Sequence, residues 1–177
     1  MELQNALKQA ESRLSISGDK ISMMQGKLED LVFRAQRIGA ALRAKAPVQD
    51  TMFGYDIQHF RREVRSFGQE ILALPGVLGS LEREAVYVPG ADKMAQSLMR
   101  LSGRVHKQVQ GLHSAALLAH NHIRLPEHKM DAWYICQEIE EMTQKTQALP
   151  TLANKVVIKT APPSDPATPA GPPAAAT

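Results

Sequence analysis

The sequence predicts an all-α protein: long antiparallel helices in coiled-coil or helical-bundle packing, followed by a disordered C-terminal tail. Three observations carry this. The first is a seven-residue apolar rhythm from Leu3 to Leu42, with steps alternating four and three: Leu3, Leu7, Ala10, Leu14, Ser17, Ile21, Met24, Leu28, Leu31, Ala35, Ile38 and Leu42. Steps averaging 3.5 residues keep one seam facing a neighbouring helix. The second is composition: 44% hydrophobic but only 5% aromatic, rich in the Ala, Leu, Met and Gln that favour helices over sheets. The third is punctuation, because Pro and Gly fall mainly at the junctions between periodic runs and near the C-terminus.

The first helix occupies residues 1–46, unbroken by proline before Pro47. Forty residues make a rod of about 60 Å. Such a rod is expected to lie against another long helix rather than inside a compact core.

Residues 50–150 are read as further bundle segments. Phe53, Ile57, Phe60, Val64, Phe67, Ile71 and Leu74 repeat the four-three alternation, and Pro75-Gly76 bends or breaks that helix. Leu78, Leu81, Ala85 and Val88 keep the phase beyond it, up to a turn at Val88-Pro89-Gly90. A third helix opens near Asp92 with a seam of Met94, Leu98, Leu101, Val105, Leu112, Ala115 and Ala119. Gln108 interrupts that seam, and Val109 and Ala116 widen it. Pro126 suits the first turn of a fourth helix, where its missing N–H costs nothing, and Glu127 and Asp131 suit the positive end. Ala132, Ile135, Ile139, Met142, Thr146 and Leu149 carry that seam to Pro150.

Residues 151–160, with Val156-Val157-Ile158, are expected to form a strand or a short docking segment. Residues 161–177 hold only Pro, Ala, Ser, Gly, Thr and one Asp. With no large apolar side chain to offset ordering entropy, this stretch is expected to be disordered. Gly18, Gly26, Gly39, Gly68, Gly103 and Gly111 lie inside helical patterns, each costing up to ~1 kcal/mol against Ala. Their number implies helices that depend on contacts with neighbours.

The charge pattern suggests a partner. Arg13, Lys20, Lys27 and Arg34 occupy four successive positions beside the first seam. In a parallel homodimer they would face Gly18, Gln25, Val32 and Gly39, none of which attracts them. An acidic helix fits better. Within the chain, residues 126–149 carry five acidic and two basic groups, with Glu138, Glu140 and Glu141 as candidates. The alternatives are an acidic helix of another coiled-coil protein, or a plainly solvated face. The expected partner-binding set is Leu14, Ile21, Leu28, Leu31 and Ile38 as apolar anchors, with Arg13, Lys20, Lys27 and Arg34 beside them.

No catalytic residue, metal site or cofactor is expected. His106, His113 and His120 recur every seven residues, but about 10 Å apart, too far to share one metal. They read as boundary histidines, with a helix-bundle metal or haem site as the alternative. No phosphate loop or dinucleotide fingerprint is present. Cys136, the single cysteine, permits no intrachain disulfide and fits a reducing compartment. Net charge is only +3, so nucleic acid or anionic membrane binding through Arg61, Arg62 and Arg65 is a secondary reading. No signal-peptide-like or membrane-spanning apolar run occurs, and the expected location is cytoplasmic or at the nuclear envelope.

The order of segments over residues 5–123 resembles the coiled-coil region of the central-channel nucleoporins, the fifty-eight-kilodalton metazoan type in particular. The likeness rests on the long first helix, on Phe60, Val64, Phe67 and Ile71, and on the Val88-Pro89 turn with Asp92 opening the third helix. Members carry long Phe-Gly tracts. This chain has only Phe53-Gly54 and Phe67-Gly68. The resemblance implies a scaffold segment assembling with two other coiled-coil chains. Residues and resemblance lead to the same expectation: a structural, non-enzymatic subunit of an intracellular complex.

Overall fold

Among the described residues, six helices stack into four rods. The structure, a computed structural model, describes residues 2–163. The first rod is α1 (Glu2–Arg43), and the second is α2 (Phe53–Leu72) continued by α3 (Leu74–Glu84). The third is α4 (Ala91–His122), and the fourth is α5 (Pro126–Thr146) continued by α6 (Ala148–Thr160). Consecutive rods run antiparallel, and no strand occurs among the described residues.

The rods do not follow one another around the bundle. α1 packs most extensively on α4, α2 packs on α5, α3 on α6, and α4 on both α5 and α6. The backbones of α2 and α3 do not come close to α4, so the 85–90 turn crosses the bundle diagonally. Gly90 makes that turn with a φ of +89°, backbone that L side chains rarely adopt. One consequence is that α1 and α4 lie side by side and parallel. Gln4 reaches the Pro89 carbonyl, Gln108 donates to the Gly18 carbonyl and to Ser22, and Gln36 meets His122. The buried seam of α4 runs unbroken through Ala95, Leu98, Ser102, Val105, Val109, Leu112, Ala116 and Ala119; half of it lies one residue on from the expected Met94, Leu101 and Ala115, and Gln108 stands beside it at the polar edge of the α1–α4 contact. Gly18 lets it approach: a Cβ there would lie 2.9 Å from Gln108 Oε1.

The first-helix seam is spent inside the chain. Leu14, Ile21, Leu28, Leu31 and Ile38 are 0–6% exposed and belong to the central core. This corrects their assignment as anchors for a foreign helix. α4 and the joined α2–α3 rod each cover about 32 residues, the length of the buried stretch from Leu7 to Ile38. The bundle is therefore long enough to bury the whole seam.

The two rods that are divided into two helices each divide shortly before a proline. Pro75 lies in the first turn of α3 and Pro150 in the first turn of α6, where a missing N–H breaks no intrahelical bond. The chain continues in nearly the same phase. Residues 151–160 are accordingly helix, not a strand or docking segment. Leu149, Ala153, Val156 and Thr160 face inward, while Ile158 is 65% exposed. Lys159 fixes α6 to α3 through the Glu82 carboxylate (2.7 Å) and the Glu82 carbonyl (2.8 Å). Of the tail expected to be disordered, residues 164–177 lie outside the described residues.

Candidate interaction surfaces

The basic row beside the α1 seam finds its acidic complement on α2. Lys20 pairs with Glu70 at 3.0 Å, Lys27 with Glu63 at 2.8 Å, and Arg34 with Asp56 at 2.8 Å. The basic residues advance by seven while the acidic ones retreat by seven, as two antiparallel heptad helices require. Glu138, Glu140 and Glu141 of α5 take no part, and the backbones of α1 and α5 do not come close to each other. Lys20, Lys27 and Arg34 are thus committed within the chain, correcting their role as partner-binding residues. Arg13, one step earlier, is exposed and has no ion pair among the described residues.

The row ends in a stronger node. Arg34 also meets Asp50 through Nε–H and Nη2–H at 2.7 and 2.8 Å, a two-pronged contact, and lies over the Phe53 ring. The Asp50 hydrogen bond, opposed in part by desolvation, raises the guanidinium's proton affinity, and Asp56 adds to it. The same guanidinium holds the Asp50 carboxyl below its ordinary range. This node ties the 44–52 connection to both helices. Behind Phe53, the His128 ring stands edge-on at 5.6 Å. Gly54 makes room for that ring, because a Cβ would fall 2.6 Å from His128 Cε1. Phe53 and Phe67 are 3% and 5% exposed, so both Phe-Gly pairs serve packing.

Along the α1–α2 ladder runs an open groove. One part, about 470 Å³, is lined by Gly26, Asp30, Phe60 and His59; a second part, about 290 Å³, is lined by Met23, Met24 and Phe67. The ladder bridges it, so a helix lying there would have to break the ion pairs.

The histidine row splits into individual contacts. His106 Nδ1 lies 2.9 Å from Thr146 Oγ1, and His106, His113 and His120 are all half-buried. No group of three metal-ligating side chains converges among the described residues. Cys136 is buried, and burial, with Glu140 nearby, pushes its thiol up to about 11. A thiol so placed is a poor nucleophile. Arg61 bonds Asp131 at 2.9 Å and covers the Tyr134 ring at 4.1 Å, leaving Arg62 and Arg65 as the exposed basic pair on α2.

A surface outside the predicted set stands out. Of the sixteen large apolar side chains that stay exposed among the described residues, ten lie in the half of the bundle where α1 and α4 end and α2 and α5 begin, so apolar exposure is polarised. Its centre is α5, where Met130, Trp133 and Tyr134 are 55%, 44% and 38% exposed. Trp133 and Tyr134 meet edge to face at 5.1 Å, and Met52 and Tyr55 lie exposed at the start of α2. The signal is present in the sequence: these three α5 residues fall off the seam of Ala132, Ile135, Ile139 and Met142. Among the described residues, no helix is long and apolar enough to cross a membrane.

Comparison with known protein families, with curated proteins and with solved structures returns no match.

Proposed function

We propose that this protein is a structural, non-enzymatic helical module that assembles with other helical proteins in a larger intracellular complex, and that it docks through its apolar half. The observation that carries this reading is the exposed Met130–Trp133–Tyr134 cluster with Arg61 stacked on it. Trp, Tyr, Met and Arg are the residues that interfaces concentrate, and Trp, Tyr and Arg dominate binding hot spots. The interior supports the reading by contrast. Its apolar side chains pack the rods on one another, and its histidines and cysteine are dispersed. A coiled-coil assembly of the central-channel nucleoporin kind is one such complex.

The experiment is recovery of the full chain from its cell of origin, identification of stoichiometric companions by mass spectrometry, and reconstitution from purified chains. Trp133→Ser with Met130→Ser is expected to weaken the reconstituted complex at least tenfold while leaving helicity unchanged. A chain recovered alone and monomeric would sink the proposal.

A second reading, contact with nucleic acid or an anionic membrane, draws on the exposed Arg62 and Arg65. Salt-dependent binding to a DNA duplex or to phosphatidylserine vesicles, lost on Arg62→Glu with Arg65→Glu, would favour it.

A further inference from the structure

α4 has no acidic residue after Asp92, and its outer face carries a basic row. Lys93, Arg100 and Lys107 follow one another at seven-residue steps, about 10.5 Å apart along the axis, with Arg104 beside them. All four are exposed, and none has an ion pair among the described residues. Leu117 and Leu118, 46% and 47% exposed, flank the same line about 15 Å further on.

The α1–α2 ladder shows what such a row accommodates. There Lys20, Lys27 and Arg34, also seven apart, are met by Glu70, Glu63 and Asp56 on an antiparallel helix. The α4 row has the same period and no complement. We infer that the outer face of α4 docks an acidic helix of another protein, one with Asp or Glu at heptad spacing facing Lys93, Arg100 and Lys107, and apolar side chains against Leu117 and Leu118.

A second copy of this chain does not supply that helix. Its one heptad-spaced acidic row is the Asp56–Glu63–Glu70 set, which α1 already holds, and Glu138, Glu140 and Glu141 are bunched within four residues. Phosphate polymers would account for the cations but not for the leucine pair on the same face. This inference rests on the assembly reading and names one partner chemistry on a surface distinct from the Trp133 cluster.

The test uses the full chain and fluorescence anisotropy. The probe is a labelled four-heptad helical peptide with Glu at successive flanking heptad positions and Leu at its seam. Its Lys counterpart, a DNA duplex and phosphatidylserine vesicles serve as comparisons. The triple charge reversal Lys93→Glu, Arg100→Glu and Lys107→Glu is expected to weaken Glu-peptide binding on the order of tenfold or more, with the effect fading at high salt. The same variant should gain affinity for the Lys peptide. Leu117→Ser with Leu118→Ser should weaken the Glu peptide without changing its salt dependence. All these positions are exposed, so circular dichroism should be unaltered. Glu-peptide binding indifferent to the reversal overturns the inference. So does a duplex or vesicle bound more tightly than the peptide through the same residues, or self-association abolished by the reversal. If the natural complex forms through Trp133 and ignores the α4 variants, this inference falls and the assembly reading stands.

Discussion

Replacing Leu28 by Ala decides whether the first-helix seam is core or docking surface. Leu28 is 1% exposed, in the middle of α1. Leu→Ala removes three carbons, worth about 2.4 kcal/mol at ~0.8 kcal/mol per buried methylene. The cavity adds to this, because close-packed neighbours relax only partly, and the total falls near 3–4 kcal/mol within a range of ~2–5. At roughly 2–4 °C per kcal/mol for a chain of this size, Tm should drop by about 6–16 °C. Met23, five residues earlier and 66% exposed, is the control: Met23→Ala should stay within ~0.5 kcal/mol. Thermal and urea unfolding, followed by circular dichroism, measure both. A Leu28→Ala protein as stable as the parent would refute the packing described here.

Two α1–α2 glycines should respond in opposite senses. Gly54→Ala drives a methyl into the His128 ring and should cost ~1–3 kcal/mol, while Gly26→Ala has nothing within 4 Å and should gain ~0.5–1 kcal/mol in urea titrations. Asp50 titrates below its ordinary value when folded, so its contribution is fully present above about pH 5 and declines as pH falls through the lowered folded value. The stability gap between the parent and Asp50→Asn should therefore be constant from pH 5 to 8 and close towards pH 2–3; a gap independent of pH down to 2 would contradict the Arg34–Asp50 geometry. Cys136, buried with its thiol raised to about 11, should react with a disulfide reagent at pH 8 far more slowly in the native chain than in denaturant. Equal rates would place it on the surface.

Much of the bundle was legible in the sequence because helix packing writes a local code. The seams from Leu7 to Ile38, from Phe53 to Leu81 and from Ala132 to Leu149 are buried where their spacing puts them. Pro75 and Pro126 each stand in the first turn of a helix, where a missing N–H is tolerated. Val156-Val157-Ile158 was misread because three adjacent apolar residues carry no period, and only packing against α3 and α4 chose helix and turned Ile158 outward. The candidate site fared worse. The basic row on α1 signalled a heptad-spaced acidic complement, but nothing local says which helix supplies it.

What the sequence determined by itself, then, was the helices, their inward faces and the need for an acidic partner to the α1 row. Periodicity, proline and charge act within a few turns and are readable without the fold. Which rods touch was decided only in three dimensions. Small residues and glutamines drew α1 and α4 into a parallel pair, and the 85–90 turn crossed the bundle to allow it. That choice placed α2 beside α1, satisfied Lys20, Lys27 and Arg34 inside the chain, and left the Lys93–Arg100–Lys107 row and the Trp133 cluster facing outward. The physical reason is that a heptad seam specifies a face but not a neighbour. The neighbour is set by the shape and polar edges of all four rods packed together.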